Sequence, residues 1–163
     1  MTGSSAEPPE LRLEVLASAD MHALGRRIGD RCRPGDVVLL TGPLGAGKTV
    51  VAQGIGAALG VAGPVTSPTF VIARLHRDGR VPLVHVDAYR LGGVAEVDDL
   101  DLDAELGESV TVVEWGSGLV EHLAEAHLRV AIDRRATDEV RTVRITPTGD
   151  RWTRADLQAI GET

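Results

Sequence analysis

The sequence predicts an α/β domain in which helices flank a mixed β-sheet. Three observations predict it. The apolar run Val37-Val38-Leu39-Leu40-Thr41 passes through a glycine-rich loop into a helix-compatible run, a strand–loop–helix unit. Asp78-Gly79 separates two β-rich runs, the mark of a hairpin and so of antiparallel neighbours. The 163 residues show no internal repeat and no linker between positions 11 and 160, which suits one domain.

The elements follow in order. Residues 1–10 are polar and contain proline, and read as a disordered tail ahead of a folded unit over 11–163. Leu11, Leu13 and Val15 alternate as in a strand. Ser18 is a candidate cap for a helix with the apolar stripe Met21, Leu24, Ile28 and Cys32, broken by Arg33-Pro34-Gly35-Asp36. The short run 37–41 reads as a strand covered on both faces. A helix is expected from Thr49 to Leu59, ended by Gly60. Residues 70–76 and 81–87 form the hairpin arms, and Pro82 marks an edge or a strand beginning. Residues 109–115 are a further strand, and Leu119, Val120 and Leu123 suit a short helix. Residues 128–133 and 140–146 are two more strands. Thr153 caps a last short helix carrying Leu157 and Ile160.

Composition excludes several classes. The net charge is −7, and residues 96–108 alone hold seven acids and no base. The rest of the chain is near neutral, with no basic stripe. Aromatics are limited to Phe70, Tyr89, Trp115 and Trp152. Direct nucleic-acid binding is therefore disfavoured as the main activity. The single cysteine, Cys32, cannot form an internal bridge, which fits a reducing, cytoplasmic setting. The first residues lack the apolar core of a signal peptide. Residues 49–73 carry no charge over 25 positions, but the glycines and prolines among them read as helix, loop and strand, not as a membrane span. The acidic run fails as a calcium loop, because its sixth position is Ala104 and its twelfth Val110. It reads as a solvated segment packed by its leucines, with a protein-docking surface as the alternative.

Gly42-Pro43-Leu44-Gly45-Ala46-Gly47-Lys48-Thr49 matches G-x-x-x-x-G-K-[ST]. An apolar strand precedes it and a helix follows, the context this motif needs to cradle phosphates. The fold class thus sharpens to a single P-loop NTPase-like domain. Backbone N–H groups over Leu44, Gly45, Ala46 and Gly47 would face the anion at a helix N-terminus. Lys48 would reach the β- and γ-phosphates, and the Thr49 hydroxyl would ligate Mg²⁺. Of 17 basic residues, Lys48 is the only lysine. The chain uses arginine elsewhere and keeps a compact ammonium where an anion nest requires one. Guanine-reading motifs need a second lysine, so ATP is favoured over GTP.

Such a site needs an acid at the end of a neighbouring strand. Asp87 and Glu114 each end one, and the sequence does not decide which strand lies beside 37–41. Thr66, Ser67 and Thr69 offer hydroxyls near a γ-phosphate or ordinary turn chemistry. His85 shares a strand face with Asp87 by period two. It reads as a hydrogen-bonded structural histidine, with a proton relay as the alternative. Arg90 is a candidate for stabilising transferred charge or a plain ion-pair partner.

Four motifs now stand in order: GPLGAGKT (42–49), SPTF (67–70), HVDAYRL (85–91) and VEW (113–115). Together they resemble the TsaE family, the ATPase component of bacterial threonylcarbamoyladenosine synthesis on tRNA. The resemblance spans about residues 11–146. It implies a small domain that binds Mg-ATP and hydrolyses it slowly alone. It implies action with the TsaD and TsaB proteins, with tRNA engaged only indirectly and no transfer of the group by this chain. It implies Lys48 and Thr49 as nucleotide and Mg²⁺ positions and Glu114 as the metal-associated acid. It further implies Asp87 as an acid needed for function and Trp115 as an aromatic by the nucleotide. The chain departs from the pattern at Pro43, where an acid is usual, at Val50, where a second threonine is common, and at Met21, where a threonine is frequent.

Two other readings use the same loop. A small-molecule kinase would need a basic lid, and the Arg134-Arg135 and Arg77/Arg80 clusters lack lid-like surroundings. A non-catalytic nucleotide-sensing module would use the acidic run as its docking face.

Overall fold

The computed structural model describes residues 10–43, 46–61, 73–87, 107–114, 126–134 and 140–162, with the side chains of Ala73, Arg74 and Asp87 excepted. Chain order is β1 (Leu11–Val15), α1 (Ser18–Arg31), β2 (Val37–Thr41), α2 (Lys48–Leu59), β3 (Ala73–His76), β4 (Leu83–Asp87), β5 (Val110–Glu114), β6 (His127–Arg134), β7 (Arg141–Thr148) and α3 (Arg154–Gly161). The seven strands form one sheet in the order β1-β7-β6-β2-β5-β4-β3. Its centre, β6-β2-β5-β4, is parallel. The rims are antiparallel: β7 on β6, β1 on β7 and β3 on β4. The mixed α/β sheet expected from the sequence is present.

The apolar runs explain the centre. Val38, Leu40, Val110, Val112, Leu128 and Val130 join the core beneath the helices. Val37, Leu39, Val84, Val86 and Val113 on the opposite face are also buried. Two-sided burial is what continuous Val/Leu runs signify in parallel strands. Each fully buried aliphatic side chain contributes about 1.5–3 kcal/mol. β1 at the rim instead alternates, with Arg12 and Glu14 exposed and Val15 buried. The hairpin expected around Asp78-Gly79 is the antiparallel β3–β4 pair, and Pro82 sits just before β4.

Helices α1 and α2 pack with their backbones nearly in contact. A Cβ on Gly54 would lie 2.2 Å from the His22 carbonyl oxygen, and one on Gly25 would lie 2.3 Å from that of Val51. Helix α1 buries Met21, Leu24 and Ile28, as its stripe predicts. Its cap differs from the expectation. Ala17 is the N-cap residue and makes no side-chain cap bond, so Ser18 is the first helical residue. Asp20 in the first turn offers the dipole some compensation instead. Helix α2 starts at Lys48, one residue earlier than expected, and ends at Gly60.

Thr153 caps helix α3 as expected, and the structure adds a full capping box: its side chain accepts from the Asp156 N–H, and Asp156 accepts from the Thr153 N–H. Arg151 locks this helix to the core. Its guanidinium donates to both Asp36 oxygens at 2.8 Å and to the Arg31 carbonyl at 2.6 Å. It also lies 4.4 Å over the ring of buried Trp152. The expected short helix around Leu119–Leu123 and the acidic segment up to 106 lie outside the described residues.

Candidate functional site

Strand β2 delivers the chain to the loop at the C-terminal end of the parallel strands, where α/β sheets bind ligands. Gly42 (φ 147°) and Gly47 (φ 116°) hold the loop's two ends in conformations that favour glycine. At Gly42 a Cβ would also meet the Ile132 carbonyl at 2.5 Å. Inside the loop the Ala46 N–H donates to the Pro43 carbonyl at 3.1 Å. Gly47 is the N-cap of α2. The helix's first N–H groups, which have no intrahelical acceptor, therefore open onto the loop. Leu44 and Gly45 lie outside the described residues.

Lys48 is buried, 5% exposed, and its Nζ donates to the carbonyls of Gly42 at 2.7 Å and Pro43 at 3.0 Å. An ammonium out of water needs such acceptors. The lysine thereby curls around the loop that it would serve.

The adjacent strand decides between the two acids. β5 lies directly beside β2, with Leu40 opposite Glu114. β4 is one strand further out, with Asp87 opposite Glu114. Glu114 is thus the strand-end acid next to the loop, and its buried carboxylate meets α2: Thr49 Oγ1 lies 3.3 Å from Glu114 Oε1. The other carboxylate oxygen, Oε2, is 2.5 Å from His85 Nε2. Thr49 and Glu114 therefore meet at the start of α2, while the neighbouring Lys48 folds its ammonium onto the loop carbonyls. Asp87 is brought alongside at the backbone, but its side chain, Trp115, Thr66, Ser67, Thr69 and Arg90 lie outside the described residues.

Among the described residues no group of three or more His, Cys, Asp or Glu could hold a metal ion. The donors that converge are a hydroxyl and a carboxylate, both hard oxygens. That set fits Mg²⁺, which takes one or two protein oxygens and completes its shell with phosphate oxygens and water.

Beside the loop lies a cavity of about 210 Å³, bounded by Val15, Ala17, Met21, Ala46, Val50 and Arg141 among others. Sequence reasoning missed it, because β1, α1, α2 and β7 meet there only in three dimensions. Two departures from the family pattern, Met21 and Val50, are walls of this cavity. The hydrogen bond of His85 is to Glu114, a partner set by the β4–β5 register.

The comparisons with known proteins agree with this architecture. Residues 15–143 match the family described as threonylcarbamoyl adenosine biosynthesis protein TsaE. The chain belongs to the TsaE family. It is 56% identical over 147 residues to the tRNA threonylcarbamoyladenosine biosynthesis protein TsaE of Streptomyces coelicolor, covering 86% of this chain and 99% of that protein. It is 50% identical over 131 residues to the protein of the same description from Mycobacterium tuberculosis, covering 75% and 78%. The crystal structure of Bacillus subtilis YdiB superposes with a TM-score of 0.78 at 30% identity, covering 96% of this chain and 97% of that one. The α/β domain described above thus has the fold of that solved structure. No helix among the described residues is long and apolar enough to cross a membrane.

Proposed function

We propose that this TsaE-family chain is a Mg-ATP-binding ATPase that assists the TsaB–TsaD pair in tRNA threonylcarbamoyladenosine modification in the cytoplasm, without transferring the group itself. The observation that carries the nucleotide reading is the meeting of Thr49 and Glu114 at the N-terminus of α2, next to a Lys48 whose ammonium lies on the loop carbonyls. Family membership supports the tRNA pathway, since the relatives carry that pathway in their names.

Each residue has a separate task. The loop N–H groups and the α2 N-terminus bind phosphate oxygens. Lys48 exchanges its carbonyl partners for the β- and γ-phosphates and offsets their charge as it moves outward. Thr49 and Glu114 supply the two protein oxygens for Mg²⁺. The ion, when bound, would supply positive charge against the phosphates. Asp87, next to Glu114 in register, is the further acid assigned to the reaction, and Trp115 flanks the nucleotide. The cavity between α1 and the loop takes the base end, with Met21 and Val50 giving it apolar walls.

Titration with ATP, in Mg²⁺ and in chelator, tests this reading. Wild type is expected to bind Mg-ATP, and Lys48→Ala to weaken binding by about tenfold or more, the loss of charge-assisted bonds. Equal binding by both proteins would refute it.

A further inference from the structure

We propose that His85 is a positioning residue for Glu114: its Nε2–H holds one carboxylate oxygen so that the other faces Thr49. The inference rests on the Mg-nucleotide reading above and adds a residue to it. His85 is fully buried, and its Nε2 is 2.5 Å from Glu114 Oε2, while Thr49 Oγ1 approaches Oε1 at 3.3 Å. The two oxygens of one carboxylate are engaged from two different elements, β4 and α2. This fixes both the rotamer and the roll of the carboxylate.

The sheet register explains the reach. β4 and β5 run parallel, with His85 opposite Val112 and Asp87 opposite Glu114. His85 is therefore the diagonal neighbour of Glu114 on the same face, a distance a long side chain spans. An ionised carboxylate only accepts, so Nε2 carries the hydrogen. In the neutral ring Nδ1 is then a bare acceptor. It has no hydrogen-bond partner among the described residues, a smaller cost than an orphaned N–H.

A packing role alone does not account for an imidazole here. Its neighbours Leu83 and Val112 are fully buried aliphatics, and a leucine would fill the space without desolvating a polar ring. The polar ring is explained by what it holds. Partners of metal-ligating groups orient those groups, and their loss weakens metal affinity by about 10–100-fold.

The experiment measures Mg²⁺ affinity rather than turnover. A fluorescent ATP analogue is bound to the protein and Mg²⁺ is titrated, with metal-free nucleotide affinity measured in chelator. His85→Leu is expected to raise half-saturating Mg²⁺ by about tenfold or more, with metal-free affinity changed by less than about twofold. His85→Gln is expected to stay near wild type, because its amide N–H reaches the position of Nε2. On a Glu114→Gln background, His85→Leu is expected to add nothing. Unchanged Mg²⁺ affinity in His85→Leu, or an equal loss on the Glu114→Gln background, overturns the inference. If His85→Leu does not fold, His85→Asn, too short to reach Glu114, is compared with His85→Gln, and equal Mg²⁺ affinity of the two overturns it. Wild-type binding that ignores Mg²⁺ would instead remove the parent reading.

Discussion

Thr49 Oγ1 and Glu114 Oε1 lie 3.3 Å apart, joining the first turn of α2 to the end of β5. The pair spans 65 positions of sequence and couples the glycine-rich loop to the sheet's central parallel strands. Two hard oxygens so placed can share one cation. Thr49→Ala and Glu114→Gln are each expected to weaken the Mg²⁺ enhancement of ATP binding by about tenfold, leaving a measurable remainder, with metal-free binding within about twofold. Isothermal titration in Mg²⁺ and in chelator separates the two effects. A full loss of metal-free binding would place these residues on phosphate instead.

The cavity beside the loop yields a second expectation. Ala17 is an exposed wall of it, so a large side chain there enters the cavity without disturbing the core. Ala17→Trp is expected to weaken ATP and ADP binding by about tenfold, as burying the wrong group in a pocket does. Tripolyphosphate binding, which needs only the loop, should be unchanged. Equal weakening of all three would show that the base does not enter this cavity.

The α1–α2 contact sets a stability expectation. A methyl on Gly54 meets the His22 carbonyl, which is backbone and cannot swing away. Gly54→Ala is expected to destabilise by about 2 kcal/mol or more, the upper part of the overpacking range. For a domain of this size that lowers Tm by about 4–8 °C. Circular dichroism melts measure it; an unchanged Tm would mean the helices are not held this closely.

Asp156 sets a pH expectation. Burial alone would raise its pKa, but bonds from the Thr153 N–H and hydroxyl, with Arg151 and Arg31 beside it, hold it below the usual value. A folded pKa below the unfolded one makes the carboxylate stabilising above the unfolded value, about 3.9. That contribution is lost as pH falls through the depressed folded value. Asp156→Asn should therefore be less stable than wild type at neutral pH. The gap should close as pH falls from about 5 through the unfolded value and then the depressed folded one. Urea unfolding across that range reads the gap directly, and a constant gap would contradict the assignment.

Much of this was legible from residue order alone. The run 37–41, the glycines and Lys48 define strand, loop and helix within ten or so neighbouring positions, where local physics suffices. Thr153 likewise announces a helix start. What was not legible depends on strand order. Asp87 and Glu114 look equivalent in sequence, and only the placement of β5 beside β2 separates them. The His85–Glu114 bond needs the β4–β5 register, and the cavity needs four elements to meet. Ser18 misled because a serine before an apolar stripe usually caps it. Here the chain leaves β1 through Leu16 and Ala17 and enters the helix one residue sooner.

ATP turnover by this chain is expected to depend on its partners, and steady-state phosphate release measures that dependence. The purified chain is assayed with Mg-ATP alone, then with a reconstituted TsaB–TsaD pair, with and without tRNA. Slow hydrolysis alone and clear stimulation by the pair, lost in Lys48→Ala, is the expected result. No stimulation by the pair, or transfer of the phosphoryl group to a small-molecule acceptor in place of water, would contradict it.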